Sequence, residues 1–474
     1  MSRKNLPLLK DIEIESIAAE GKAIAHVDGV VVFVPYCIPG DRVDLQVTRK
    51  KHSFMEARVE RIVQPSPLRQ PPRCQHYGMC GGCKWQILPY TEQLRWKQQQ
   101  VEDNLTRIGK VELPPIQPIL GSRQEYAYRN KLEFTFADHR WLTPKQMQAR
   151  IPFQPGLGFH IPNCFDKVLD IETCHLMPEV NDHLRNRVRQ FAMEQGMTFY
   201  NEHTHEGQLR TLILRANQKG EMMVVLVFGE DIDEKGLQLL QLIQNEFEQV
   251  VSLWYCVNKK MNDTIADQEL ILYYGQDHLM ETMEDLQFKV GPKSFYQTNT
   301  RQAYELYKVA RQFAFEDLPA PAESKDLPLV YDLYTGTGTI AQFVAKQARQ
   351  VIGIEYVAEA IEDAKTNAAL NGLSNTRFYA GDMKDILTPD FVAAHGRPDI
   401  IITDPPRAGM HEDVIHVLLQ TAPRRIVYVS CNPATQARDI NLLADLYQVS
   451  RVQPVDMFPQ TQHVENVVCL ERKD

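Results

Sequence analysis

LVYDLYTGTGTIAQFVA, residues 329–345, is the stretch on which the fold turns. An apolar, strand-forming run reaches a turn containing Gly336 and Gly338, and a segment with helical apolar spacing follows. Glycines at such a turn let the backbone come close to a ligand, and Ala341 stands where a third small residue would. The next strand, VIGIEY (351–356), brings Glu355 to its end, where a carboxylate can take both hydroxyls of a ribose. Strand and helix then alternate through FYAGDM (378–383), IIITDPPRAG (400–409) and RIVYVSCNPAT (425–435). That alternation predicts an α/β unit built on a doubly wound parallel sheet.

A glycine turn of this kind is a weak signal by itself, and a nicotinamide dinucleotide is its usual ligand. Two features shift the reading to S-adenosyl-L-methionine: the motif lies in the C-terminal third, and the fourth strand ends in Asp404-Pro405-Pro406. Such an end sets rigid backbone and a carboxylate over the cofactor's reactive end. In amino-group methyltransferases the motif closes on an aromatic residue, so Arg407 argues against an exocyclic nitrogen as target. Asp382, after the third strand, is available to the adenine edge. The strand RIVYVS opens at its C-terminal end on the same crevice as Asp404. Cys431 falls just beyond it, and Pro433 keeps the chain from continuing as strand. A structural thiol would sit within the apolar run, so Cys431 reads as a nucleophile. Downstream, DMFPQTQHVE (456–465) offers His463 and Glu465 as general bases, and the residues alone do not choose between them.

Outward from this unit, 474 residues exceed one ordinary core and call for two to four domains. With 43% apolar and 24% charged residues the composition is that of a globular protein. No apolar run approaches the roughly 20 residues of a membrane span, and the N-terminus lacks a signal-peptide core, so a cytoplasmic protein without membrane contact is expected. The net charge of -9 argues mildly against nucleic acid, but residues 49–73 carry seven Lys/Arg against two Glu. A basic band of that kind can neutralise phosphates. Short strands at close spacing over residues 8–63 predict a small β-barrel of oligonucleotide-binding type. QPSPLRQPPR (64–73) reads as a linker, residues 90–109 as a long amphipathic helix, and 125–290 as mixed strands and helices with a hairpin turning at NQKG (217–220).

Nine cysteines in a reducing compartment favour metal ligation or catalysis over disulfides. RCQHYGMCGGCKWQ spaces Cys74, Cys80 and Cys83 as C-x5-C-x2-C, and its two glycines let the chain wrap a metal. A tetrahedral zinc site and an iron–sulfur cluster each need a fourth ligand, for which Cys164 and Cys174 are the candidates. Zinc usually takes two cysteine pairs, and only one C-x2-C is present. The spacing is also wrong for a radical enzyme's three-cysteine site. A [4Fe–4S] cluster is favoured, with zinc kept open.

In order, DLYTGTGT, DPPRAG, VYVSCNPAT and DMFPQTQHVE resemble the RNA uracil-5-methyltransferase family, as does GPKSFYQTNTRQAYELY (291–307) ahead of them. The four cysteines and the small β module, similar to a TRAM domain, resemble the RumA/RlmD-like members that act on 23S rRNA. The resemblance implies three parts: a TRAM module over 1–66, a central α+β domain over 67–290 carrying the cluster, and a Rossmann-like class I methyltransferase domain over 291–474. The helix 90–109 would pack on the last. It implies Cys431 as nucleophile and Glu465 as base. Gln297, Tyr334, Thr339, Glu355, Asp382 and Asp404 would contact cofactor or the extruded base, and Cys74, Cys80, Cys83 and Cys174 would hold the cluster. Thr335, Thr337 and Thr339 replace residues common in the family's glycine turn, and Asp382 replaces a common Asn. The activity implied is S-adenosyl-L-methionine-dependent methylation of uridine C5 in RNA by a monomer, with tRNA as the alternative to 23S rRNA. A zinc-stabilised RNA-binding factor and a nicotinamide redox enzyme are the competing readings.

Overall fold

The computed structural model describes residues 6–319 and 321–473. Its C-terminal unit is a seven-stranded sheet, whose strands are numbered here in chain order: β1 Leu329–Leu333, β2 Gln350–Glu355, β3 Thr376–Ala380, β4 Ile400–Thr403, β5 Arg425–Ser430, β6 Tyr447–Val455 and β7 Glu465–Arg472. The spatial order is β3-β2-β1-β4-β5-β7-β6. The first five strands run parallel, and β7 lies antiparallel between β5 and β6. Strand order reverses between β1 and β4, so the chain leaving both strands opens on one crevice, the switch point of a doubly wound sheet. Strands covered on both faces read as unbroken apolar runs. Accordingly β1, β4 and β5 are buried along their whole length.

One face packs on the helices Thr300–Phe315 and Thr339–Val344 through Leu306, Phe313 and Phe343, the other on Glu412–Thr421 and Pro433–Leu443 through Leu418 and Ile440. The second face also takes Val101 and Leu105, so the helix Tyr90–Asn104 and the wider turn that follows it pack on this unit. The hairpin of Leu279–Met283 and Leu286–Val290 contributes Met283, Leu286, Phe288 and Val290 to the first core. Its backbone is held by Asn367 and Asn371, which accept from the Lys289 and Gln287 amides at 2.8 Å. The core of this unit therefore reaches back past residue 291, because an isolated hairpin buries its apolar face only against a larger body.

Ahead of it lie two further sheets. The N-terminal one has six strands, with Ala23–Val27 added to those legible in the sequence, where AIAHV is too short and small to stand out. Its buried Asp41 accepts from the amides of Ile38 and Ser66 and pairs with Arg69, which ties the proline-rich segment to the sheet. The central sheet has seven strands in the order 271–275, 250–257, 222–228, 209–216, 131–137, 156–160 and 168–170. The expected hairpin across 217–220 is present. Among the described residues no helix is long and apolar enough to cross a membrane.

The parts meet on the loop between β6 and β7. Lys97 and Asp456, both fully buried, pair at 2.6 Å, and Lys97 also donates to the Phe458 carbonyl at 3.1 Å. Tyr90 donates to the second oxygen of Asp456 at 2.8 Å. Gln93 and Gln460 exchange hydrogen bonds at 2.9 and 3.0 Å. Gln460 takes a left-handed φ of 68°, and its carbonyl accepts from the amides of Lys84 and Trp85, next to Cys83. Burial works against the Lys97 charge, and Asp456 works in its favour. Removing one partner of such a pair leaves an uncompensated buried charge. Lys97→Met is thus expected to cost about 3–5 kcal/mol in a urea titration, much of it recovered when Asp456→Asn is added.

Candidate functional site

A cavity of about 2070 Å³ opens at the switch point and continues to the cysteine-bearing segment. On the methyltransferase side the chain leaving β1 sets its wall. Tyr334 has φ 63°, a left-handed conformation costly for a side chain of this size and of the kind that concentrates at functional turns. Gly336 and Gly338 follow at φ 56° and 75°. A Cβ on Gly338 would stand 2.9 Å from Ala364 Cβ, whereas one on Gly336 would meet no atom within 4 Å. Gly338 therefore packs the turn against helix Ala358–Leu370, while the open space at Gly336 is room for a ligand. Glu355 accepts from the Gly336 amide at 3.1 Å and the Val357 amide at 3.0 Å, which fixes its carboxylate at the cavity edge. Thr337 and Thr339 face each other at 3.3 Å and both line the cavity.

Gln297 comes from the segment before the sheet. Asn130 of the central domain donates to its carbonyl at 2.9 Å, so the two domains together place this side chain. Asp382 stands apart: it caps the short helix Met383–Ile386 by accepting from the Lys384 amide, and it is not among the cavity-lining residues. Cys164 is likewise outside the cavity lining, whereas Cys74, Cys80, Cys83 and Cys174 share one wall of it. Among the described residues no three of these thiols lie mutually within 4.8 Å. The donors that do converge so closely are His160, Glu202 and Asp263, and there Asp263 already pairs with the Arg210 guanidinium.

The reactive corner is formed by register. Ser430 at the end of β5 pairs with Asn466 of β7, so Cys431, just past that end, and Glu465, the first residue of β7, come together there. Asn432 caps helix Pro433–Leu443 by accepting from the Ala434 amide, and its Nδ2 donates to the Arg407 carbonyl at 3.0 Å. Thr435 Oγ1 donates to the same carbonyl at 3.1 Å. The Asp-Pro-Pro-Arg turn is thereby fastened to the turn that carries Cys431.

This corner disfavours negative charge. Burial, with the nearby Glu465 and Asp404, pushes the Cys431 thiol up to about 11, and Arg407 opposes the shift through a hydrogen bond and its charge. Burial and Asp404 push Glu465 up to about 8. Asp404 rises to about 7 through burial alone. His463, half-buried and near Arg407 and Lys97, drops to about 4. It is a much weaker base than Glu465.

Two contributors escape a sequence reading. Asp332 is buried inside β1 with Oδ1 unpartnered, pushed up to about 7 by burial and held by the Thr335 hydroxyl. A lone Asp within LVYDL was the available signal. Arg407 matters as the cation beside the thiol, which its place in a tight turn does not disclose.

The model of the tRNA (uracil-5-)-methyltransferase family matches residues 190–473, and that of the TRAM domain of tRNA (uracil(54)-C(5))-methyltransferase matches residues 11–68. An RNA methyltransferase of Bacteroides thetaiotaomicron is 59% identical over 460 residues, covering 96% of this chain and 100% of that protein. One of Porphyromonas gingivalis is 57% identical over 470 residues, covering 97% and 99%. Among solved structures, Pyrococcus abyssi tRNA (uracil-54, C5)-methyltransferase in complex with S-adenosyl-L-homocysteine superposes with a TM-score of 0.74 at 27% identity, covering 97% of this chain and 99% of that one. A family match over most of the sheet-bearing chain, and relatives this similar along nearly its full length, make this protein an RNA methyltransferase belonging to the tRNA (uracil-5-)-methyltransferase family.

Proposed function

We propose that this chain methylates C5 of a uridine in RNA through a covalent adduct between Cys431 and uracil C6. The observation that carries the reading is the convergence of Cys431, Glu465 and Arg407 on the crevice beside Asp404. Uracil C5 is too weak a nucleophile for methyl transfer until a thiolate adds at C6 and turns the ring into an enolate. Arg407 favours that thiolate. Glu465 takes the C5 proton of the methylated adduct, and elimination of Cys431 then releases the base. The raised value makes the ionised Glu465 a stronger base for that proton.

S-adenosyl-L-methionine, the co-substrate of this reading, supplies the electrophilic methyl group. The open space at Gly336 and the fixed Glu355 carboxylate fit a nucleoside, with Tyr334, Thr339 and Asp404 lining the same cavity. The S-adenosyl-L-homocysteine bound to the Pyrococcus enzyme supports the assignment. Asp382 enters it less directly, as the cap of a neighbouring helix.

The four cysteines fit a [4Fe–4S] cluster held by Cys74, Cys80, Cys83 and Cys174. A single tetrahedral zinc would draw all four sulfurs to about 3.8 Å of one another, and among the described residues no three of them lie mutually within even 4.8 Å. Such a cluster would brace the loop whose Lys84 and Trp85 amides hold Gln460. The substrate put forward is 23S rRNA, on the resemblance of the cysteine segment to the RumA/RlmD-like members. A tRNA substrate is the second reading, favoured by the family and TRAM models, both named for tRNA enzymes. A TRAM module thus does not choose between the two.

Cys431→Ala is expected to abolish transfer of labelled methyl groups to unmodified RNA; continued C5 methylation overturns the mechanism. Glu465→Gln should instead accumulate a covalent protein–RNA species, seen as a retarded band in a denaturing gel. Nuclease mapping of 5-methyluridine in 23S rRNA and in tRNA incubated with the parent protein decides the substrate. The Glu465 proton also has a stability signature. Folded Glu465 holds its proton up to about pH 8, while an ordinary glutamate loses it near 4.5, so the folded state binds the extra proton between these values. Stability then falls as pH rises through that window. The parent should lose thermal stability from pH 5 to 8.5 more steeply than Glu465→Gln, read by calorimetry.

A further inference from the structure

A second cavity of about 430 Å³ lies against the catalytic one, and the segment Lys293–Thr298 forms part of the wall of both. Arg129, Leu132 and Phe159 also line both, and Lys131, Glu133 and Arg215, from the strands 131–137 and 209–216 of the central sheet, complete the smaller one. Lys131 is neutralised by Glu133 at 2.7 Å. The other cations are not. Arg129 Nε donates to the Lys131 carbonyl, Arg215 to the Ser294 carbonyl at 2.8 Å, and Lys293 to the carbonyls of Ala266 and Gln268. Among the described residues none of the three is ion-paired.

Arg215 is the telling one. It is only 5% exposed, yet a buried charge normally persists only when paired. The carboxylates of Glu281 and Glu133 both favour its charge, but Glu281 accepts from the Thr300 hydroxyl, Glu133 pairs with Lys131, and neither forms an ion pair with the guanidinium. Phe159, Phe295 and Tyr296 add aromatic surface to the same walls, and Phe295 is 67% exposed. A buried, unpaired guanidinium with two more free cations in an aromatic-walled cavity is built for a nucleotide phosphate.

We propose that this cavity is a subsite for a phosphate of the nucleotide flanking the target uridine, with Arg215, Arg129 and Lys293 as its ligands. The inference rests on the reading of the larger cavity as the RNA site. Gripping the backbone in this side chamber, beside the Lys293–Thr298 segment, would hold the strand while the target base occupies the space beside Gln297, as extrusion requires.

The test is the salt dependence of RNA affinity, measured with whichever unmodified RNA the parent methylates, 23S rRNA or a tRNA transcript. Each lost phosphate contact lowers the slope of log K against log salt by about 0.7 on a single strand. Arg215→Gln and Lys293→Gln should each show that loss. Lys325→Gln, which removes an exposed lysine paired to Glu323, should not. Where Arg215→Gln does not fold, Arg129→Gln takes its place. Slopes equal to the parent's overturn the proposal, and so does a loss confined to Lys293→Gln, which is ordinary surface charge. A parent that methylates uridine while its variants keep the slope overturns the subsite alone. A parent that methylates no uridine overturns the reading beneath it.

Discussion

The buried pair of Lys97 and Asp456 is the constraint on which the assembly depends. Two charges with no exposure are tolerable only because each has further partners: Phe458 carbonyl for the lysine, Tyr90 hydroxyl for the aspartate. Satisfying them fixes helix Tyr90–Asn104 on the loop between β6 and β7. That loop then holds three more attachments. Tyr128 donates to the Pro459 carbonyl, Asn299 to the Met457 carbonyl, and the Gly21 turn of the N-terminal sheet packs against Gln462 and Trp85. All three sheets therefore bear on the few residues that lead into Glu465. A buried polar network of this kind adds little net stability but penalises every alternative arrangement.

The electrostatics of the reactive corner follow from the same burial. Asp404, Glu465 and Cys431 line one cavity, with Asp332 buried inside β1, and burial pushes each toward its neutral form. Only Arg407, itself exposed, works in the other direction on the thiol and on Glu465. On the mechanism proposed above, these values hold the Cys431 thiol in its neutral form and make the ionised Glu465 a stronger base. The N-terminal sheet and the cation-lined cavity sit outside this corner, where charge is solvated or free to meet phosphate.

Local sequence was informative wherever the backbone itself does the work. Gly336 and Gly338 marked a turn that needs positive φ, Asp404-Pro405-Pro406 a strand end, and Asn432-Pro433 a helix start, because each of these is set by its own residues. It was less informative about extent. Residues 279–290 looked like part of the central region, and their apolar positions belong instead to the core of the catalytic unit, since a strand pattern does not say which body will bury it. Asp382 reads as an adenine contact from its place after the third strand, and in the structure its carboxylate caps the helix that follows.

The sequence by itself determined the strand–turn–helix order, the doubly wound sheet and the place of Cys431 at a strand end on the crevice. These follow from periodicity and from residues with special backbone demands, both of which are local. Only the tertiary structure decided which charges are buried, and so which protons are held. Lys97 and Asp456 lie 359 positions apart in the chain, and nothing in either segment announces the other. Burial is a property of the packed whole, which is why the pairing that positions the loop, the values that tune the thiol and the unpaired Arg215 became legible only there.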